Sequence, residues 1–503
     1  MKRDVLIGVD GGTGGIRCCF YDSVGTVLGF AQCEYETRRP HNGWAEQSPA
    51  SWWQALKQCI AEIMGKTGIA KERILGIATA TTCCSVVVCA RNGLPLRDSI
   101  IWMDVRAFAQ AEEIARLTGE HLSAEWMPCK LLWLKHNELE NYQQAEVFCE
   151  YQDWMTYMLT GKWSVNINTA CNWGYNNREK GFPASFYNAI GLPDAIAKFP
   201  SDHVYAVGDK IGSLSPFAAK ELGLDTETIV AQAGIDSSVG MLGMGVSGYG
   251  DAALMTGSSN LLMVLTDKLM FSEDSTINAG PDHLLPGLYT AYRGQVSSGS
   301  ILAWFRQEFC KDLPYEKAFD ILNEQAKDIP AGSEGLLVLD YWQGNRHPYY
   351  DTKVRGLIYG YTLSHTRAHV YRALMEGIAY GVQNLFEQFR AGGMPIQQIF
   401  LSGGSVNSEL FLQIYADVCN VKIHIAKDRQ SVCLGSAITA AVATGLYADL
   451  PQAVKAMVTY QRTIYPDVTR HSVYRQIFAQ YARLYPELKD WMHQTTDICL
   501  AAE

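Results

Sequence analysis

Two short glycine-rich turns, about half a chain apart, each join a pair of apolar β-like runs. The first is VLIGVD-GGTGG-IRCCFYD, with its turn at Gly11 to Gly15. The second is DAALMT-GSSN-LLMVLTD, with its turn at Gly257 to Asn260. Each reads as a strand, a tight turn of small residues, and a second strand. Such a turn can aim several backbone N–H groups at one point, which makes an anion-binding hollow. Small side chains also let a phosphate come close. A single turn of this kind reads as a plain hairpin. Two of them, one in each half, predict two jaws that hold a polyphosphate.

A chain of 503 residues exceeds what one core supports, so two domains are expected, 1–246 and 247–503. Hydrophobic residues make up 48% and charged residues 19%, a composition that buries a large core and excludes disorder. The net charge of −10 disfavours nucleic acid and anionic membrane as partners. Apolar runs such as AITAAVATGL stop at about half a membrane span. The start, MKRDVLIGVD, carries Asp4 and Asp10 where a signal peptide needs an apolar stretch. A cytoplasmic location is therefore expected. The 14 cysteines include no CxxC pair, and adjacent Cys18–Cys19 and Cys83–Cys84 suit neither a zinc site nor an easy disulfide. Free, mostly buried thiols follow.

The chain reads as alternating strands and helices. Residues 4–36 predict three strands, and 50–64 a helix. A buried strand region covers ILGIATATTCCSVVVCA. Residues 104–159 read as mostly helical. The small-residue run at 241–251 marks the boundary between halves. The second half restarts at 251–267, followed by helix 366–391, the strand IQQIFLSGG, helix 407–419 and the small-residue helix LGSAITAAVATG. Long helices mixed with strands predict an α/β architecture.

Some motifs fail on inspection. Gly65-Lys66-Thr67 lacks the first glycine of a P-loop, since Ile60 stands there. GGTGG leads into a strand and not a helix, so it is no dinucleotide fingerprint. His365 and His369 lack a third metal ligand. What remains suits phosphoryl transfer, which needs phosphate-cradling amides, a carboxylate for a metal, a cation and a carboxylate for the acceptor hydroxyl. Asp10 ends the first strand and can hold metal-bound water. Arg17 offers a forked donor to phosphate. Asp236 follows an apolar strand at the junction of the halves, where a cleft would open. Gly403–Gly404, with Asn407, suits packing of backbone against a flat base.

These segments together resemble the FGGY carbohydrate kinases, over nearly the whole chain. GVDGGTGGIR is similar to the family's first phosphate loop, through Asp10, Thr13 and Arg17. MTGSSN is similar to the second, through Gly257 and Ser258. AGIDSSVGMLG puts Asp236 on the family's catalytic base. LSGGSVNS puts Gly403, Gly404 and Asn407 on its adenosine motif. IWMDVRA resembles the sugar-proximal segment, with Trp102 and Asp104. GLIYGYTLSHTRAHVYRALMEG resembles the C-terminal signature, with Tyr361 where an aliphatic is usual.

Within the family SAEWMPCK, with Ser123, Glu125, Trp126 and Lys130, and YWQGNRHPYYD resemble the ribulokinase-like branch. Asn172 stands where that branch usually has lysine, and Tyr292 where it has glutamate. Cys83 and Cys84 lie where glycerol kinases carry a charged pair. The resemblance implies two actin-like (ribonuclease-H-like) ATPase domains with a central cleft. It implies ATP and Mg2+ as cofactors, with Asp10 and Asp236 on the metal. It places Cys83, Cys84, Trp102, Asp104, Glu125, Asn172 and Asp236 around the sugar. Thr13, Arg17, Gly257, Ser258, Gly403, Gly404 and Asn407 go to the nucleotide. The expected activity is phosphorylation of a terminal hydroxyl of a ketopentose such as ribulose, or of a related four- to five-carbon ketose or polyol, by a cytoplasmic enzyme compatible with a homodimer. A xylulose- or other polyol-type kinase is the alternative. A third, from another class, is an actin- or chaperone-like nucleotide switch without a sugar.

Overall fold

The structure, a computed structural model, describes residues 3–177, 181–268 and 282–502. Two compact units emerge from its contacts. The first holds Met1–Gly248, Asp267–Tyr289 and Asp428–Thr459, and the second Tyr249–Thr266, Thr290–Lys427 and Tyr460–Glu503.

The largest sheet of the first unit has six strands: β1 (Val5–Gly12), β2 (Gly15–Tyr21), β3 (Val27–Glu34), β4 (Ile74–Thr81), β5 (Lys210–Ser213) and β6 (Ile229–Ala231). Their order is β5-β6-β4-β1-β2-β3. β1, β2 and β3 form an antiparallel meander, and β1, β4 and β6 run parallel. β1 is buried at every residue, which is why it reads as an unbroken apolar run and not an alternation. The helix Pro49–Thr67 covers one face with Trp52, Leu56, Ile60 and Ile63. It ends at Gly68 with φ 66° and an N–H bond back to Met64, a left-handed stop.

The helix Ser431–Ala443 packs on β1 and β4. Its approach is close enough that a Cβ at Gly8 would lie 1.8 Å from the Cys433 carbonyl oxygen. Ser436 donates to the Val9 carbonyl at 2.9 Å. The same helix crosses the helix Asp236–Met244, where a Cβ at Gly243 would lie 1.8 Å from Ser431 O. Small residues therefore tie this late segment to the first unit. The chain first leaves that unit after Gly248, beside the expected boundary at 246, and then returns to it twice.

The second unit repeats this order for its first four strands and exchanges the chain order of the outer two, with β7 (Asp251–Thr256), β8 (Asn260–Thr266), β9 (Tyr289–Gln295), β10 (Gln398–Gly403), β11 (Lys422–Ala426) and β12 (Tyr460–Ile464). The sheet runs β9-β8-β7-β10-β11-β12. β7 is antiparallel to β8 and parallel to β10, as β1 is to β2 and β4. Two copies of one sheet plan underlie the two glycine-rich turns. Among the described residues, no helix is long and apolar enough to cross a membrane.

Candidate active site

In the first unit three parallel strands deliver their carboxyl ends to one place. Thr82 N donates to Gly11 O at 3.1 Å, and Thr81 N to Gly234 O at 3.2 Å, lacing the ends together. In open α/β sheets, ligands sit outside this edge. Asp10 lies two residues before the end of β1, which continues to Gly12, and Asp236 opens the helix Asp236–Met244 just after β6. Asp10 is buried and its carboxyl is raised by that burial, while Arg17 pulls it down. Arg17 Nη1 donates to Asp10 Oδ2 at 2.5 Å. Asp236 keeps part of its surface open. Burial and the nearby charge of Asp10 push its carboxyl up to about 7, against the pull of the Ser237 N–H and Arg17. A carboxyl so placed can take a proton near neutral pH.

The first glycine turn is held from three sides. Tyr35 donates its hydroxyl to Gly12 O. Gln47 Nε2 donates to Thr13 O at 2.7 Å. Trp102 Nε1 donates to Thr13 Oγ1 at 2.9 Å, which joins the expected sugar-proximal segment to the expected phosphate turn. The tip at Gly14 is open, with nothing within 4 Å of a notional Cβ.

The residues expected around a sugar separate into two sets. Cys83 is partly exposed, and Cys84, Asn172 and Glu125 lie together near it. Asn172 Nδ2 is 4.0 Å from Cys84 Sγ, and the charge of Glu125 acts on both Lys130 and Glu150. Asp104 behaves otherwise. It is fully buried, and its oxygens accept from Ala45 N at 2.6 Å and from the Arg106 guanidinium at 2.7–3.0 Å. Its acceptor capacity is spent inside the protein, so it braces the 101–107 segment instead of facing a ligand. Arg106 in turn stacks on Trp44, 3.7 Å from the ring centroid.

In the second unit the turn after β7 packs onto the start of the helix Gly299–Phe309. Gly299 N donates to Gly257 O at 3.0 Å, and Ser298 N and Ser300 Oγ donate to Ser258 O at 2.9 and 2.8 Å. Behind the turn runs a buried polar chain. Ser298 Oγ donates to Asn260 Oδ1, Asn260 Nδ2 to Gln295 Oε1, Gln295 Nε2 to Asp340 Oδ2, and Tyr481 to Asp340 Oδ1, over 2.5–2.8 Å. Burial holds the Asp340 carboxyl up at about 6. Gly403 has φ 95°, and a Cβ there would meet Thr256 O at 1.8 Å. Gly404 faces open space. Asn407 is exposed and ends a short 3-10 turn, and Ser408, not Asn407, caps the following helix by accepting from Phe411 N.

Sequence reasoning missed Tyr35, Gln47, Glu150 and Asp340. Each acts at long range, through a partner dozens of residues away, and no local spacing signals that. The polar residue closing the second turn, Asn260, was the one visible hint.

Comparison with known proteins identifies the family and the fold. The profile of the FGGY family of carbohydrate kinases, N-terminal domain, matches residues 5–243, and that of its C-terminal domain matches residues 252–444. A protein named xylulose kinase from Staphylococcus epidermidis is 28% identical over 496 residues, covering 97% of this chain and 98% of that one. A ribulokinase from Bacillus licheniformis is 29% identical over 486 residues, covering 89% and 88%. The crystal structure of xylulose kinase from Rhodospirillum rubrum superposes with a TM-score of 0.85 at 27% identity, covering 97% of this chain and 100% of that one. This chain belongs to the FGGY family of carbohydrate kinases, an ATP-dependent sugar phosphotransferase of the two-domain, ribonuclease-H-like fold.

Proposed function

We propose that the protein phosphorylates a terminal hydroxyl of a small open-chain ketose or polyol of four to five carbons, with a ketopentose such as ribulose first among them. The observation that carries the reading is the placement of Asp236, a largely buried carboxyl opening the helix after β6, on which the charges of the Asp10–Arg17 pair act. The relatives named xylulose kinase and ribulokinase support a pentulose. Asn172 and Tyr292 leave polar groups without charge at two places in the chain, which favours an uncharged polyhydroxy substrate over a sugar acid.

Asp236 accepts the proton of the substrate hydroxyl as its oxygen attacks the γ-phosphoryl group in line. Arg17 and the turn amides of Gly11 to Gly15 neutralise charge that develops on phosphate. In the second unit, Gly257 and Ser258 are assigned to phosphate, and Gly403, Gly404 and Asn407 to adenosine. Kinases of this family use a divalent metal with ATP. The donors here fit a hard cation: Asp10 and Asp236 offer carboxylate oxygens, and the charge of Asp10 already acts on Asp236. Mg2+ keeps several waters and binds through one or two carboxylates, which these two side chains can supply. When bound, Mg2+ supplies neutralisation of the phosphate oxygens. We assign residues 1–246 and 247–503 to the two kinase domains, and the enzyme to the cytoplasm.

A panel of ketoses, polyols and sugar acids in a coupled ADP-release assay tests the reading. A site built on hydroxyl recognition rejects an analogue lacking one hydroxyl by roughly 10⁴-fold in favourable cases. Ribulose, xylulose or a four-carbon relative should lead, and glycerol and aldohexoses should trail. Highest kcat/KM on glycerol or a hexonic acid would refute the substrate assignment.

A further inference from the structure

Lys130 is fully buried, and its ammonium donates to three backbone carbonyls: Cys84 O at 2.6 Å, Ile101 O at 2.9 Å and Ile100 O at 3.2 Å. Glu150, also fully buried, accepts from Cys84 N at 2.6 Å and from Trp173 Nε1 at 2.7 Å. The N–H and the C=O of one residue are thus gripped by a buried carboxyl and a buried amine. That residue, Cys84, has φ 57°. L-residues avoid this left-handed region because Cβ crowds the following carbonyl oxygen. A strained conformation persists only where its surroundings impose it. Buried charges are costly to desolvate and contribute little net stability against apolar replacements. Geometry at Cys84 gives this pair a use that stability does not.

We propose that Lys130 and Glu150 are positioning residues that lock the Cys83–Cys84 corner in its left-handed turn and so set one wall of the sugar site, without touching the sugar. The inference rests on the reading above that this corner faces the substrate. A second link extends the clamp. Ile100 and Ile101, held by the same ammonium, lead directly into Trp102, whose indole N–H holds Thr13 of the first phosphate turn. One cation therefore keeps the corner, the 101–107 segment and that turn in register. Glu125 and Asp104 face the same ammonium electrostatically, and Glu125 opposes the ionisation of Glu150.

The test uses the full-length enzyme and whichever panel substrate it turns over best. Lys130→Met keeps an unbranched side chain, one atom shorter, and removes all three donors. It should raise KM for the sugar about 10- to 100-fold, the penalty typical of a misplaced contact, while KM for ATP stays within about twofold of wild type. Cys84→Gly frees the corner from its strain, because glycine adopts positive φ readily. In the Cys84→Gly background, Lys130→Met should raise the sugar KM by less than about threefold. An equal rise in both backgrounds, or equal rises for sugar and ATP, would overturn the clamp. If Lys130→Met alone does not fold, the double variant decides: folded and sugar-binding supports the clamp, unfolded overturns it. The underlying reading has its own check. In wild type, saturating sugar should slow alkylation of Cys83, mapped by peptide mass spectrometry. No protection would remove the corner from the sugar site and the proposal with it. Protection with an unmoved sugar KM in Lys130→Met would sink the clamp alone.

Discussion

Arg17 and Asp10 are directly opposed across the β1–β2 hairpin, and Arg17 Nη1 reaches Asp10 Oδ2 over 2.5 Å. The backbone ladder fixes this pair before any ligand arrives. Burial raises the Asp10 carboxyl, and Arg17 is the group that counters it. About half of the Arg17 side chain is open to solvent, so its remaining donors are available to phosphate.

Removing that cation should hurt chemistry more than folding. Arg17→Ala is expected to lower kcat/KM by about 10², the loss typical of one missing charge-stabilising donor. Its Tm should move little, because ion pairs with one exposed partner add little stability. Steady-state kinetics alongside calorimetry will check both. A variant with near-wild-type kcat/KM would remove Arg17 from the phosphate site.

Asp236→Asn keeps the shape of the side chain and removes the proton acceptor. General-base loss typically costs about 10²–10⁴ in rate, so sugar-dependent turnover should collapse in that range. Nucleotide binding, measured by titration calorimetry, should persist. Retention of more than about a tenth of wild-type kcat, well short of that range, would mean another group takes the proton.

The paired glycines after β10 should respond in opposite ways. Gly403→Ala forces a Cβ to 1.8 Å from Thr256 O at φ 95°, so strain and overpacking should destabilise by roughly 2–4 kcal/mol. Gly404→Ala meets nothing within 4 Å, so Tm should stay put. If adenosine lies on that face, KM for ATP rises in Gly404→Ala alone. Thermal shift and ATP kinetics on both variants separate the two effects, and an unaffected KM for ATP in Gly404→Ala would move adenosine elsewhere.

Asp340 predicts a pH dependence of stability. Its folded carboxyl is raised from 3.8 to about 6, chiefly by burial. The folded state then binds the proton more tightly than the unfolded chain, so stability is lost as pH rises across that window. Asn at this place cannot ionise, can accept from Gln295 and can donate to Tyr481. Relative to wild type, Asp340→Asn should therefore gain stability between about pH 4.5 and about pH 7.5, by roughly 3 kcal/mol at most for a shift of about two units. Melting curves at both ends of that range test the sign, and a gap that shrinks with rising pH would contradict it.

Local pattern alone identified the meander over residues 4–36, the helix Pro49–Thr67, the two glycine turns and the family, because each is written in contiguous residues whose periodicity or turn chemistry needs no partner. Asp10, Arg17 and Asp236 stood out for the same reason: each lies close to the turn or junction where one element gives way to the next. Tertiary structure alone decided which of the expected residues stay open to solvent. Asp104 and Glu125 are both acidic residues in motif-like segments, yet Asp104 is consumed by Arg106 and Ala45 N while Glu125 stays partly open. The small-residue helix at 431–443, written late in the chain, packs on β1, because only side chains as small as Gly8, Gly243 and Gly435 allow such close crossings. Lys130 carries the same lesson. A lysine in a helix reads as solvated, and only the fold shows that it points inward to three carbonyls. Burial and hydrogen-bond partners are set by residues far apart in sequence, so the role of a polar side chain is settled only once the chain has closed around it.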